Sequence, residues 1–135
     1  PRRAVVGWDS NRLAMILAVL ETRCGIRFSD KEVYLNVAGG IRISEPAADM
    51  AVAASLLSAL YDVPLPERVV MFGEIGLSGE VRVVSRTDAR LKEAEKLGFS
   101  LAYTPQHALK DSAITTKSVE NVQNLARQLF GGKSV

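Results

Sequence analysis

The sequence predicts an α/β domain with a mixed sheet and a central helix buried on most sides. Three observations carry that expectation. Helical and strand-like segments alternate along the chain. The stretch Pro46 to Leu60 has almost no polar face. The segment Gly73-Glu-Ile-Gly-Leu-Ser-Gly79 sets three glycines between two apolar, β-branched runs, which asks for tight turns and positive φ. At 135 residues the chain suffices for one core and is short for two, so residues 1–135 read as a single domain.

The elements follow in order. Asp9 or Ser10 caps a helix over Asn11 to Arg23, with Leu13, Ile16, Leu17 and Leu20 on one face and Gly25 as its terminator. Glu32 to Val37 alternates like a half-buried strand, and Gly39-Gly40 break it before a second short strand at Ile41 to Ile43. Pro46 then suits a first helical position, with Ser44 or Glu45 at the cap. Pro64 and Pro66 bracket a loop, and Val69 to Phe72 and Glu80 to Val84 read as strands joined through the glycine turn. Arg86 to Leu97 is an exposed amphipathic helix ended by Gly98. A strand at Leu101 to Tyr103, stopped by Pro105, and another at Ala113 to Thr116 precede a last helix. That helix turns Val119, Val122, Leu125, Ala126 and Leu129 inward.

Composition excludes several classes. The apolar fraction of 47% and charged fraction of 24% are those of a soluble globular domain, and the cysteine usage suggests the reducing cytoplasm. No apolar run reaches the roughly 18 residues that span a bilayer, so no membrane partner is expected. Cys24 is the single cysteine and reads as core filling in a reducing compartment. The opening Pro1-Arg-Arg without an initiator methionine reads as a segment of a longer chain. The net charge of +2 implies no polyanion by itself, yet the first third is rich in arginine.

Motifs for standard chemistries are weak. Gly131-Gly-Lys-Ser134 looks like the end of a phosphate loop, but the position that should hold the first glycine is Arg127, and the string follows a helix. His107 is the only histidine, and no spacing of cysteine, histidine or carboxylate suggests a metal. Trp8, Tyr34, Tyr61 and Tyr103 are scattered, which disfavours a base-stacking platform for single strands.

Three segments taken together say more. They are Asn36-Val-Ala-Gly-Gly40 running into Ile43-Ser-Glu-Pro-Ala-Ala-Asp49, then Phe72 to Val81, then Arg86 to Gly98. Their order and separation resemble the proteolytic domain of Lon proteases, a fold of the ribosomal protein S5 domain 2-like type. The strings Tyr34 to Asp49, Asn11-Arg-Leu13, Ala18-Val-Leu-Glu21 and Phe72 to Glu80 are more specific, and resemble the Lon-like C-terminal domain of the bacterial RadA (Sms) DNA-repair family.

A Lon-type dyad needs a serine nucleophile and a lysine that can be neutral near pH 7. The resemblance sets Ala47 at the serine position and Arg90 at the lysine position. Alanine has no nucleophile, and arginine does not give up its proton in the physiological range. The expectation is therefore a domain without catalytic residues. A displaced nucleophile would have to be Ser44 or Ser55, which read instead as a cap and as helix filling.

The resemblance implies a parent that acts as a DNA-dependent ATPase and helicase in recombination and branch migration, assembled as a homo-hexamer. ATP, magnesium and zinc are expected in a RecA-like core and zinc finger absent from this chain, which itself carries no cofactor. Expected partners are duplex DNA, further copies of the chain and the recombination machinery. Candidate DNA contacts are Arg2, Arg3, Arg12, Arg42, Arg86 and Arg90, with Arg90 also a candidate for a subunit interface. The alternatives are oligomerisation without DNA contact, and a residual serine-dependent peptidase.

Overall fold

The computed structural model describes residues 1–106 and 113–131. Strand β1 (Arg3–Val6) leads into helix α1 (Ser10–Cys24) and strand β2 (Val33–Asn36), and β1 and β2 pair in parallel. A 3-10 turn at Ala38–Gly40 and a second at Pro46–Ala48 precede helix α2 (Asp49–Tyr61). Strands β3 (Val69–Met71), β4 (Glu74–Ile75) and β5 (Val81–Arg82) follow. Helix α3 (Thr87–Lys96), strands β6 (Leu101–Pro105) and β7 (Thr115–Val119) and helix α4 (Val122–Phe130) complete the described chain. The domain is α/β, with parallel pairs β1-β2 and β3-β6-β7, an antiparallel pair β4-β5 and an isolated antiparallel bridge between Glu80 and Asn121.

Local chemistry explains most boundaries. Asp9 accepts the Asn11 amide at 3.0 Å to start α1, and Gly25 in the left-handed region at φ 66° ends it. Asn121 caps α4 in the same way, accepting the Asn124 amide at 2.8 Å. Helix α2 forms the centre of the core. Met50, Ala53, Ala54 and Leu57 have no solvent exposure, and α1 and α4 pack against the same helix with Leu13, Ile16, Leu20 and Leu125. Its alanines permit this close approach of backbones. A smaller cluster of Phe72, Leu91, Ala94, Ala102 and Ile114 seats α3 against the second sheet.

Several details differ from expectation. Strand β1 falls in the arginine-rich opening, where four residues are too few to show a period. Ile41 to Ile43 is not a strand; it crosses the end of β1, where the Ile43 amide donates to the Gly7 carbonyl at 2.9 Å. Pro46 opens a 3-10 turn before α2, and neither Ser44 nor Glu45 caps it through a side chain. The glycine segment does not join β3 to β5 as a hairpin. It contains β4, which turns back onto β5, while β3 pairs with β6. Pro105 ends β6 from within, and Val119 belongs to β7 and not to α4. His107 and residues 132–134 of the glycine-rich tail lie outside the described residues.

Candidate functional site

The turn Pro46–Ala48 is where the family resemblance places chemistry, and it is held from both ends. On its C-terminal side Asp49 is fully buried. Arg12 grips its carboxylate with both arms of the guanidinium, Nε to Oδ1 at 2.6 Å and Nη2 to Oδ2, and the Ile75 amide adds a bond at 3.0 Å. One side chain therefore ties α1, α2 and β4. Those bonds to Asp49 hold the Arg12 guanidinium even above its ordinary pKa range, with Glu74 at 3.6 Å in support. The main chain adds two contacts. Gly73 donates to the Ala47 carbonyl at 2.8 Å, and Met50 donates to the Gly73 carbonyl at 3.1 Å.

On the N-terminal side Glu45 pairs with Arg90 of α3. Arg90 also donates through Nε to the Ser85 carbonyl at 2.9 Å and lies 5.8 Å from the centroid of the Phe72 ring. The two positions that the resemblance assigns to a dyad thus meet through one intermediary: Arg90 holds Glu45, the residue two before Ala47. Ala47 is itself buried, 4% exposed, and presents only a methyl group. Beside this pair runs an open groove of about 580 Å³, lined by Glu45, Val70, Arg86, Arg90, Glu93 and Phe99. Glu93 lies three residues along α3 from Arg90, yet the ion pair that Arg90 makes is with Glu45.

The alternative serines are elsewhere. Ser55 is exposed on α2, and its hydroxyl donates to the Ala51 carbonyl at 2.9 Å, a bond within the helix. Ser44 is exposed before the turn and makes no side-chain hydrogen bond among the described residues. Among those residues no group of three or more histidines, cysteines and carboxylates could hold a metal. Cys24 is half-buried, and burial raises its thiol pKa.

The six candidate arginines fall into two sets. Arg12 and Arg90 hold the turn, and Arg3 donates to the carbonyls of Phe28, at 2.7 Å, and Lys31. Arg2, Arg42 and Arg86 are exposed and have no side-chain partner among the described residues. Arg86 precedes α3 with φ 61°, in the left-handed region. The sites also divide in space. Arg2 and Arg3 stand where β1 begins, whereas Arg12 and Arg42 follow the ends of β1 and β2. Asp49, Glu45 and Phe72 complete the cluster and were not singled out from sequence. Asp49 gives one cue, an acid in the first turn of a helix, but its burial and its arginine have no local signal.

Comparison with known proteins agrees with the resemblance. The family model described as "Subunit ChlI of Mg-chelatase" matches residues 6–108. The chain is 68% identical over 105 residues to the DNA repair protein RadA of Brucella abortus, covering 78% of this chain and 22% of that protein. It is 61% identical over 100 residues to RadA of Rickettsia bellii, covering 74% and 22%. The match to RadA of Aquifex aeolicus extends over 131 residues at 44% identity, covering 96% of this chain and 30% of the relative. The chain thus spans between 22% and 30% of the length of these relatives.

Proposed function

Since this chain belongs to the family that the ChlI model describes and, within it, is a RadA-type segment, we propose that it is a non-catalytic, Lon-like scaffold domain of a DNA-repair ATPase. In this reading it contributes contact with double-stranded DNA and supports assembly of a homo-hexamer in recombination and branch migration. ATP, magnesium and zinc act in other parts of the parent.

The observation that carries the non-catalytic reading is the Arg90–Glu45 pair beside Ala47. A Ser–Lys dyad needs a hydroxyl and a neutral amine at hydrogen-bond distance. Here the first is a buried methyl group, and the second is a guanidinium committed to Glu45 and the Ser85 carbonyl. Ser44 and Ser55 offer no substitute, since neither hydrogen-bonds to a lysine among the described residues and Ser55 bonds to its own helix.

DNA contact is supported by the arginines left over. Arg2, Arg42 and Arg86 have no acidic partner among the described residues, and phosphate contacts made by such groups are independent of sequence and sensitive to salt. Titration of the protein with a labelled duplex at low and moderate salt tests the reading. Binding that weakens steeply with salt, and is lost when these three become alanine, is the expected result. No binding at low salt, with an oligomer present by light scattering, would leave assembly as the function. Hydrolysis of a casein substrate that disappears in Ser44→Ala or Ser55→Ala would overturn the non-catalytic assignment.

A further inference from the structure

A groove of about 470 Å³ lies where the ends of α1 and α2 meet α4. Arg23 and Cys24 of α1, Tyr61 of α2 and Gln123, Ala126 and Arg127 of α4 line it. Its charge is of one sign, since among the described residues two arginines and no carboxylate line it. Two other grooves are mixed. Glu32 shares the groove beside β2 with Lys31, and Glu45 and Glu93 share the α3 groove with Arg86 and Arg90.

Neither guanidinium is spent elsewhere. Arg23 and Arg127 have no ion pair and donate to no carbonyl among the described residues. Both stand in the last turn of a helix, where a cation offsets the helix dipole. The amides of Gly25 and Gly131 cap those ends, onto the carbonyls of Glu21 and Arg127, so the guanidiniums keep their donors. The Gln123 amide and the Tyr61 hydroxyl also lack a hydrogen-bond partner among the described residues. The lining is held in place. A Cβ on Gly79 would lie 3.0 Å from Arg23 Cγ, so the stem of Arg23 rests against the bare glycine. Gln123 and Arg127 are one turn apart and share a face of α4. The Tyr61 ring packs on Phe130 at 5.2 Å between centroids.

We propose that this groove binds the dianionic phosphate group of a small molecule, free phosphate or a phosphomonoester, between Arg23 and Arg127. Two guanidiniums match a group with a charge of about −2 near pH 7 and three acceptor oxygens. A carboxylate has two oxygens, which one guanidinium fork already fills. Tyr61 and Ala47 stand at opposite ends of α2, about 20 Å apart along its axis. The site therefore rests neither on the Ala47 turn nor on DNA contact.

Cys24 lines the groove and is the only cysteine, so its alkylation by iodoacetamide, a neutral reagent, reports occupancy. Inorganic phosphate at neutral pH should slow that reaction saturably, with half-protection below about 5 mM, and acetate at matched ionic strength should not. Calorimetric titration of the unmodified protein with phosphate should return the same affinity without relying on the thiol. Arg23→Gln and Arg127→Gln, both at exposed positions, should each weaken phosphate binding by about tenfold or more. A nucleoside 5′-monophosphate that protects at lower concentration than phosphate identifies a nucleotide as the source, and equal or weaker protection identifies free phosphate. No binding of phosphate at about 50 mM, acetate acting as strongly as phosphate, or either glutamine variant binding like the parent overturns the proposal. Protection by duplex DNA without protection by phosphate or nucleotide overturns it as well, and would assign the two arginines to the DNA surface.

Discussion

Arg12 and Asp49, 37 residues apart, form a two-pronged ion pair whose carboxylate is completely buried and whose guanidinium is 22% exposed. The pair joins the first turn of α1 to the first turn of α2 and, through the Ile75 amide, to β4. It therefore fixes the depth at which the turn Pro46–Ala48 enters the core. The asymmetry of exposure decides how each partner fails when the other is removed. Asp49 has no route to water, whereas the Arg12 side chain is already partly at the surface.

Arg12→Ala should cost about 3 kcal/mol or more, because it leaves a buried carboxylate with one amide for company. Asp49→Ala should cost less, about 1–3 kcal/mol, since Arg12 swings outward and the main loss is the orphaned Ile75 amide. The double variant should fall well short of the sum of the two. Urea denaturation of the four proteins checks this. Additive losses would show that the two side chains act independently, against the geometry.

The glycine turn is organised by one carboxylate. Glu80 accepts the Ser78 amide at 3.1 Å and both arms of Arg82, and a Cβ on Gly76 would fall inside that carboxylate. Gly76→Ala should thus displace Glu80, and Gly76→Ala combined with Glu80→Ala should be little less stable than either alone. Gly7 is different. It has φ 82°, and its Cβ would lie 2.7 Å from the Ile41 carbonyl oxygen, which belongs to rigid backbone. Gly7→Ala should cost about 2 kcal/mol or more and find no second-site relief at a side chain. Thermal melts of this set separate the two cases.

Titration of Glu80 should be visible in the pH dependence of stability. Its bonds with Arg82 lower its pKa below the ordinary 4.5. A depressed folded pKa means that its contribution is present above pH 4.5 and is lost as pH falls through the lower, folded value. Glu80→Gln should flatten the curve at and below about pH 4.5 and leave it unchanged near neutral pH. An identical slope in the variant would mean that the contact with Arg82 contributes nothing to folding.

These contacts mark where sequence reasoning stops. Helix α1 and its caps were legible because Asp9, Gly25 and the spacing of Leu13, Ile16, Leu17 and Leu20 are local signals. The burial of α2 was legible because nearly every residue is apolar. Strand β1 was not, since Arg-Ala-Val-Val is short and its identity as a strand comes from pairing with β2. Strand β4 inside the glycine turn was not legible, because it has two residues and its place depends on Asp49 accepting the Ile75 amide. At the site, Ala47 and Arg90 were legible as positions from the resemblance. That Arg90 would select Glu45, 45 residues away, over Glu93 on its own helix was not. Long-range charge pairing has no period in the sequence.

Cys24 offers a simple chemical probe. Burial between α1 and the end of α2 raises its pKa, so less thiolate is present at a given pH than in a free cysteine. Reaction with a disulfide reagent near pH 8 should run slower than with a short cysteine peptide, and unfolding in urea should remove the difference. A rate equal to the peptide's in the native protein would show that the region around Cys24 opens readily.

The arginines give the most discriminating prediction. A guanidinium already bonded to carboxylates or carbonyls has spent its donors, and diverting it to phosphate would break a structural contact. Arg12, Arg90 and Arg3 are in that condition, and Arg2, Arg42 and Arg86 are exposed without partners among the described residues. Alanine at Arg42 or Arg86 should leave urea midpoints within about 0.5 kcal/mol of the parent and weaken duplex binding at every sequence tested. Each loss should also lower the slope of log affinity against log salt by about one. Arg12→Ala should show the opposite pattern, a large loss of stability with any loss of binding following the unfolded fraction. Arg2 stands apart at the start of β1, so retention of full binding in Arg2→Ala would place the DNA at the Arg42–Arg86 end. If Arg12→Ala, at a temperature where it is folded, lowers affinity as Arg42→Ala does, then the pair with Asp49 opens on DNA, and the division of the six arginines by their partners is wrong.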